Sequence, residues 1–234
     1  MSPKLTARGL TSDCSGQAAA QPAAAPGAGR QVEVLALFDF DGTITTHETM
    51  PVFLRRSTSR RRKTFGAVLF VPLVVGYKAG LISGTTIRRL LVRFAYRGVP
   101  SEALAMAGSA FARGYLAGVL RPEAVSRIAW HKSQGHRVVV VSGGLDVYLR
   151  PWCEAQGLEL LCSSLQQRGG ILTGRFRGKQ CVLAEKAHAV RKHYNLASHG
   201  TIYAYGDTHE DEHLLSLATK SYYRWEEVGA RDGC

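Results

Sequence analysis

The feature that most constrains this chain is an apolar run that ends abruptly in two carboxylates. Residues 32–38 contain no turn-forming residue, and Asp39 and Asp41 follow at once with Gly42 behind them. Such a run predicts a strand that is buried on both faces, as strands of parallel sheets are. Because Gly42 predicts a turn at the carboxyl end of this strand, the two aspartates would stand where open α/β sheets bind ligands.

Two carboxylates this close repel each other unless a cation or an electropositive phosphate site keeps them ionised. Ligands that are all oxygen atoms indicate a hard ion such as Mg²⁺. The alternative is a pair of exposed turn aspartates that cap the next helix, which better explains an isolated Asp-x-Asp pair. The buried strand before Asp39 and the Gly42-Thr43 pair after Asp41 favour the catalytic interpretation.

Length and cysteine content limit the class of protein. A chain of 234 residues suits one core domain with an insertion. The cysteines are odd in number and have no short paired spacing, so neither a disulfide framework nor a zinc site is indicated. We therefore expect a reducing, cytoplasmic setting.

The net charge of +12 is concentrated in one segment. Residues 49–101 hold eleven Lys or Arg residues and no acidic residue, whereas the rest of the chain holds nineteen basic and eighteen acidic residues. Within this segment a basic run over residues 55–63 precedes thirteen uncharged residues, 65–77, too few for a membrane-spanning helix of about twenty residues. The uncharged run could be a buried core helix or could lie in a membrane interface, and both alternatives stay open.

Helical spacing of apolar residues over 85–96 and 101–115 makes residues 51–118 an all-helical insertion. Outside it, strands are predicted at 136–141, 201–205 and 221–225, a hairpin at 165–176 and a helix at 184–193. This alternation predicts an α/β fold with a doubly wound parallel sheet. We divide the chain into a disordered leader (1–30), a core (31–50 and 119–234) and a helical cap (51–118).

Three predicted strands each end in polar residues, and a lysine lies on the helix that leads to the third. Each piece alone has an ordinary explanation, as a turn, a solvated lysine or a helix start. Their order and their common position after buried strands favour one shared site. The residues are Asp39 and Asp41, Ser142 and Gly143, Lys186, and Asp207 and Asp211.

These residues resemble the haloacid dehalogenase superfamily, in the subclass that includes phosphoserine phosphatase. Its four motifs match Asp39–Thr43, Ser142–Gly144, Lys186 and Gly206–Asp211, so that the resemblance covers roughly residues 32–225. It implies a Rossmann-like core, and the helical insertion matches the position of the family's cap. One position departs from the pattern, because Glu210 stands where relatives such as phosphoserine phosphatase carry Asn.

The resemblance implies a Mg²⁺-dependent phosphomonoesterase. Asp39 would form an aspartyl-phosphate, and Asp41 would act as general acid and then as general base. The resemblance also implies that Ser142, Gly143 and Lys186 bind the phosphate. It implies that Mg²⁺ is held by Asp39, the backbone carbonyl of Asp41, Asp207 and Asp211. An alternative within the superfamily is a phosphotransferase.

The substrate is left open between a phosphoserine-like small ester and a lipid phosphate. Glu48 stands at the spacing from Asp39 at which phosphoserine phosphatases bind the substrate ammonium, but it could equally be a helix-start carboxylate. The basic and apolar runs of the cap suit an anionic lipid surface and resemble the phosphatidylglycerophosphatase C family. We therefore expect a cytoplasmic protein, with peripheral membrane contact as an open alternative.

A different class of function is a non-catalytic basic module that binds nucleic acid or a membrane. The acid-free segment would bind a phosphate backbone without sequence specificity. However, no nucleic-acid motif is visible, and such a module would not need four matched catalytic positions. We expect no specific nucleic-acid partner.

Overall fold

A computed structural model describes residues 33–228, and a six-stranded sheet forms the core of this part of the chain. The sheet order is β3-β2-β1-β6-β7-β8, parallel throughout except between the last two strands, and β4 and β5 form a separate hairpin. The predicted leader lies outside the described residues. The strands are β1 Glu33–Phe38, β2 Arg137–Leu145, β3 Glu159–Ser163, β4 Leu165–Arg168, β5 Ile171–Phe176, β6 His199–Gly206, β7 Lys220–Tyr223 and β8 Glu226–Val228.

Nine α-helices, counted over residues 33–228, join these strands. Six lie between β1 and β2, and the first five of these occur where the helical insertion is predicted, although its boundaries as a separate cap stay a prediction. The helices are α1 Met50–Ser57, α2 Arg60–Leu69, α3 Val71–Lys78, α4 Gly84–Tyr96, α5 Ser101–Gly114, α6 Pro122–Ser133, α7 Asp146–Gln156, α8 Ala184–His193 and α9 Glu212–Leu215.

Both faces of the sheet are buried. Successive side chains of a strand point to opposite faces, so neighbouring residues of β1 pack into different clusters. Phe38 of β1 packs into a cluster that includes residues of α5, α6 and α7. Leu37 packs into a second cluster that includes residues of α8 and α9. The predicted α/β fold with a doubly wound, mostly parallel sheet is confirmed.

The second strand extends further than the sequence predicts. The sequence predicts a strand over 136–141, but β2 continues to Leu145, with a shift in its register against β3 after Ser142. The Ser142 hydroxyl accepts a hydrogen bond of 2.9 Å from the Gly144 amide, which satisfies that amide where the ladder is irregular. A Cβ on Gly143 would lie 2.5 Å from Val182, so the packing here requires a glycine.

The apolar run of the insertion is not a buried core helix. Neither α2 nor α3 has a buried residue, and most of their large apolar side chains are exposed. The run forms two short helices, with Pro72 in the first turn of α3. A proline is tolerated there because backbone N–H groups of the first turn have no acceptor within the helix. Within residues 33–228 no helix has both the length and the apolar character needed to cross a membrane.

Candidate active site

The carboxyl ends of three neighbouring strands bring the predicted polar residues together. Because β1 lies between β2 and β6 and all three are parallel, the residues that follow them share one edge of the sheet. A cleft of about 220 Å³ opens there. Six of the predicted residues line it: Asp39, Asp41, Glu48, Ser142, Gly143 and Lys186.

Lys186 is buried beneath this cleft on the first turn of α8. Its ammonium group lies 2.5 Å from the carboxylates of both Asp39 and Asp211. Burial alone would lower the pKa of Lys186, but these two carboxylates outweigh burial and raise it. The lysine is therefore charged, and it links the end of β1 to the segment after β6.

Three carboxylates form a cluster beside Lys186. Carboxylate oxygens of Asp39, Asp207 and Asp211 lie within 4.8 Å of one another. The Asp211 carboxylate accepts hydrogen bonds of 3.2 Å from the amides of Asp207 and Thr208, which hold it in place.

The charge of this cluster fits a hard divalent cation. Burial raises the pKa of Asp39 and of Asp207, and the neighbouring Asp211 carboxylate raises both further. One lysine cannot balance three carboxylates, so an additional cation would restore their ionised forms. Oxygen-only donors match the preference of Mg²⁺. Asp41 does not add its carboxylate to the cluster, and the role predicted for its backbone carbonyl stays a prediction.

The turn after the two aspartates requires a glycine at position 42. Its φ of +85° is favourable for glycine and rare for other residues. A Cβ at this position would also lie 2.3 Å from the Asp207 carboxylate. The missing side chain therefore lets the loop after β1 approach the loop after β6.

Asp41 is held by a residue that the sequence analysis does not single out. Its carboxylate accepts hydrogen bonds from the Thr49 amide at 2.8 Å and the Thr49 hydroxyl at 2.5 Å, and the same hydroxyl lies 3.3 Å from the Tyr148 hydroxyl. Burial raises the pKa of Asp41 although the bonds from Thr49 oppose the shift. The carboxyl therefore holds its proton to a higher pH than an exposed aspartate does. The sequence signal that could have identified Thr49 is its position directly before the first residue of α1.

Arg88 of α4 is a second residue that the sequence analysis did not assign to the site. Its guanidinium donates a 3.0 Å hydrogen bond to the Gly143 carbonyl, and its side chain lines the cleft. Glu48 lies in the same cleft and keeps an exposed surface. Partial burial and the Asp41 carboxylate raise the pKa of Glu48 to about 7, against the effect of Arg88. The cleft thus offers a cation and a titrating carboxyl near the predicted phosphate position.

The comparisons with known proteins agree with this geometry. The family described as haloacid dehalogenase-like hydrolase matches residues 36–216. Protein CicA of Caulobacter vibrioides is 27% identical over 197 residues, which cover 82% of this chain and 86% of that protein.

Two solved structures illustrate the similarity of fold. A protein with unknown function from Bordetella pertussis Tohama I superposes with a TM-score of 0.72 at 22% identity, covering 82% of this chain and 90% of its own. A phosphoserine phosphatase with a phospho-aspartyl intermediate analogue superposes with a TM-score of 0.58 at 23% identity, covering 82% and 87%. At these identities the two structures support the fold alone.

Proposed function

The chain belongs to the haloacid dehalogenase-like hydrolase family, as its four motifs predict, and we propose that it is a Mg²⁺-dependent phosphomonoesterase. The observation that carries this proposal is the position of Asp39. It is buried at the end of β1, paired with Lys186, and surrounded by carboxylates that fit a divalent cation. These surroundings are better suited to an aspartate that attacks phosphorus than to an aspartate with a structural role.

In the first half-reaction an Asp39 oxygen attacks phosphorus and the bond to the leaving oxygen breaks. Asp41 donates its proton to the departing alkoxide, consistent with the raised pKa of this carboxyl. Ser142, the Gly143 amide and Lys186 bind the phosphoryl oxygens as they gain charge. A cation bound by Asp39, Asp207 and Asp211 would reduce the repulsion between the nucleophile and the anionic ester.

In the second half-reaction water attacks the phosphorus of the aspartyl-phosphate. Asp41, now ionised, takes a proton from this water, and the bond from phosphorus to the Asp39 oxygen breaks to release phosphate. A phosphotransferase would follow the same first half-reaction and use a different acceptor. Glu210 lines the cleft and adds a carboxylate where the family pattern has an amide.

We propose two classes of substrate, each supported by residues that line the cleft. A phosphoserine-like ester is favoured by Glu48 and Arg88, which offer a carboxylate for an ammonium group and a guanidinium for a carboxylate. A lipid phosphate is favoured by Tyr77, which lines the cleft and belongs to the exposed apolar helix α3. We propose a cytoplasmic setting for this activity.

Replacement of the nucleophile tests the activity. With Mg²⁺ and a panel of phosphomonoesters, Asp39→Asn should lower kcat by on the order of a thousand-fold or more, because an amide cannot form the acyl-phosphate. Glu102→Gln makes the same carboxylate-to-amide change on the exposed face of α5 and should leave turnover unchanged.

Two outcomes would reject the proposal. Near wild-type turnover by folded Asp39→Asn would exclude the aspartyl-phosphate route. A wild-type protein that hydrolyses no ester of the panel in Mg²⁺ would favour the non-catalytic basic module. Trapping of phosphate on the wild-type protein, followed by transfer to an added alcohol in preference to water, would identify a phosphotransferase.

A further inference from the structure

The α2–α3 hairpin, residues 60–81, exposes an unusual amount of apolar surface. Side chains in a soluble core helix would face the interior, but here the apolar side chains of both helices and of the following loop face outward. The exposed fractions are 74% for Phe65, 77% for Val68, 58% for Leu69, 56% for Val71, 60% for Val75 and 83% for Leu81. So many strongly exposed apolar side chains within one hairpin indicate contact with a protein or a membrane.

The hairpin is nevertheless anchored to the rest of the insertion. Phe70 packs edge-on against Phe94 of α4 with 5.1 Å between ring centroids. Arg62 donates hydrogen bonds to the carbonyls of Ala95 at 2.6 Å and Arg97 at 2.8 Å. The exposed face is therefore held in a definite position relative to α4, which also carries Arg88.

Charge distinguishes between two candidate occupants of this surface, a second copy of the chain and an anionic membrane. The exposed side chains of Arg60, Arg61, Lys63 and Lys78 lie on the hairpin, and residues 49–101 contain no acidic residue. A second copy of the chain would bring an equally cationic, acid-free segment against it, and the like charges would repel. An anionic lipid surface supplies both the opposite charge and an apolar layer next to it.

The hairpin is also continuous with the cleft. Tyr77, near the end of α3, lines the cleft together with Arg88 and Glu48. A molecule held against α3 can therefore extend from the apolar surface to the predicted catalytic residues.

We propose that the α2–α3 hairpin is a docking surface that inserts its apolar side chains into an anionic membrane and turns the cleft towards it. This inference goes beyond the proposed function and does not depend on it, because membrane binding can be measured without turnover. Where the proposed function also holds, docking would place a lipid phosphate at the cleft.

Vesicle co-sedimentation tests the surface with the full-length protein. Wild-type protein should bind vesicles that contain phosphatidylglycerol and should bind much less to vesicles of phosphatidylcholine alone. The variant Val68→Ser/Val75→Ser should bind about ten-fold more weakly, because it removes apolar groups that enter the bilayer. The control Met106→Ser/Val125→Ser removes exposed apolar side chains from α5 and α6 and should bind like wild type.

A second pair of variants tests the charge. Arg60→Gln/Lys63→Gln should weaken binding to anionic vesicles most at low salt, because exposed charges are screened over about 8 Å at physiological ionic strength. Arg191→Gln/Lys192→Gln removes two exposed cations from α8 and should have little effect. Arg62 is left unchanged because it anchors the hairpin.

The results separate this inference from the proposed function. Wild-type protein that stays in the supernatant with anionic vesicles at low salt overturns the docking surface, whatever its activity. A concentration-dependent dimer that Val68→Ser/Val75→Ser disrupts, without vesicle binding, would assign the face to a second copy. Hairpin variants that lose turnover of vesicle-borne phosphatidic acid but keep turnover of a soluble ester would support docking. A protein that binds vesicles but hydrolyses neither ester would fail the proposed function and keep the docking surface.

Discussion

Thr49 holds the Asp41 carboxyl from two directions, with its amide at 2.8 Å and its hydroxyl at 2.5 Å. Both bonds go to the same oxygen of Asp41. The other oxygen is therefore free of these bonds and available to the reacting groups. This arrangement suits a residue that must donate a proton and later accept one without moving.

The acid–base role that we propose for Asp41 predicts a dependence on the leaving group. Asp41→Asn should lower kcat about 10²- to 10⁴-fold for an alkyl phosphate, whose alkoxide needs the proton. With p-nitrophenyl phosphate the first step needs no proton, so a burst of nitrophenol should precede slow turnover. Stopped-flow absorbance measures the burst, which Asp39→Asn should lack. Equal losses for both esters, with no burst, would show that Asp41 does not protonate the leaving group.

At the scale of elements, His131 links α6 to the central sheet. Its side chain is fully buried, and its ring nitrogens lie 2.8 Å from the His136 ring and 2.9 Å from the Tyr205 hydroxyl of β6. Burial, with smaller effects from His136 and Arg127, lowers the pKa of His131 to about 3. The helix is thus joined to β6 through a neutral imidazole.

This imidazole predicts a loss of stability in mild acid. Between pH 6.5 and about 3 the unfolded chain binds a proton at His131 that the folded chain does not, so the free energy of unfolding falls as the pH falls through this window. The loss should be about 2–3 kcal/mol from pH ~7 to pH ~4.5, at 1.36 kcal/mol per unit. Urea unfolding at several pH values measures it.

The matched variant is His131→Phe, which removes the titrating group but keeps a ring in the space. Its free energy of unfolding should vary less with pH than that of the wild type, by about the same 2–3 kcal/mol. The comparison cancels the opposite contributions of the buried carboxylates, which are present in both proteins. Parallel pH curves for the two proteins would show that His131 is not the group responsible.

At the scale of the whole molecule, the carboxylate cluster joins segments that are far apart in the chain. Asp39 follows β1, whereas Asp207 and Asp211 follow β6, so their oxygens meet only in the folded protein. A cation that binds this cluster binds the folded state and not the unfolded chain. Its binding should therefore stabilise the entire fold.

This linkage predicts a higher melting temperature in Mg²⁺ than in EDTA. At a Mg²⁺ concentration of about 100 times Kd the folded state gains about 2.7 kcal/mol, which raises Tm by about 5–10 °C for a chain of this size. Calorimetry at constant ionic strength measures the shift. Asp207→Asn should reduce it and Glu102→Gln should not. An identical Tm for wild-type protein in both solutions would reject the cluster as the metal site.

Local patterns in the sequence determined the elements and most of the candidate site. The helix over 184–193 and the hairpin around Gly169 and Gly170 occur where predicted, because periodicity and turn chemistry act over a few residues. The parallel sheet followed from the alternation of strands and helices, and it places Asp39, Ser142 and Asp207 at one edge. The position of a residue at the end of a strand can thus be predicted from the sequence before the fold is known.

Only the tertiary structure decided what surrounds these residues. An apolar run such as 65–77 has the same composition whether it is covered or exposed. The fold leaves it exposed because the main contacts of α2 and α3 are with each other and with α4, and no other element covers them to the same extent. Arg88 donates a hydrogen bond to Gly143, and Thr49 donates one to Asp41. The spacing of these residues in the sequence does not predict either contact. Contacts between elements depend on where each helix packs, and that position is determined by the whole set of packed side chains.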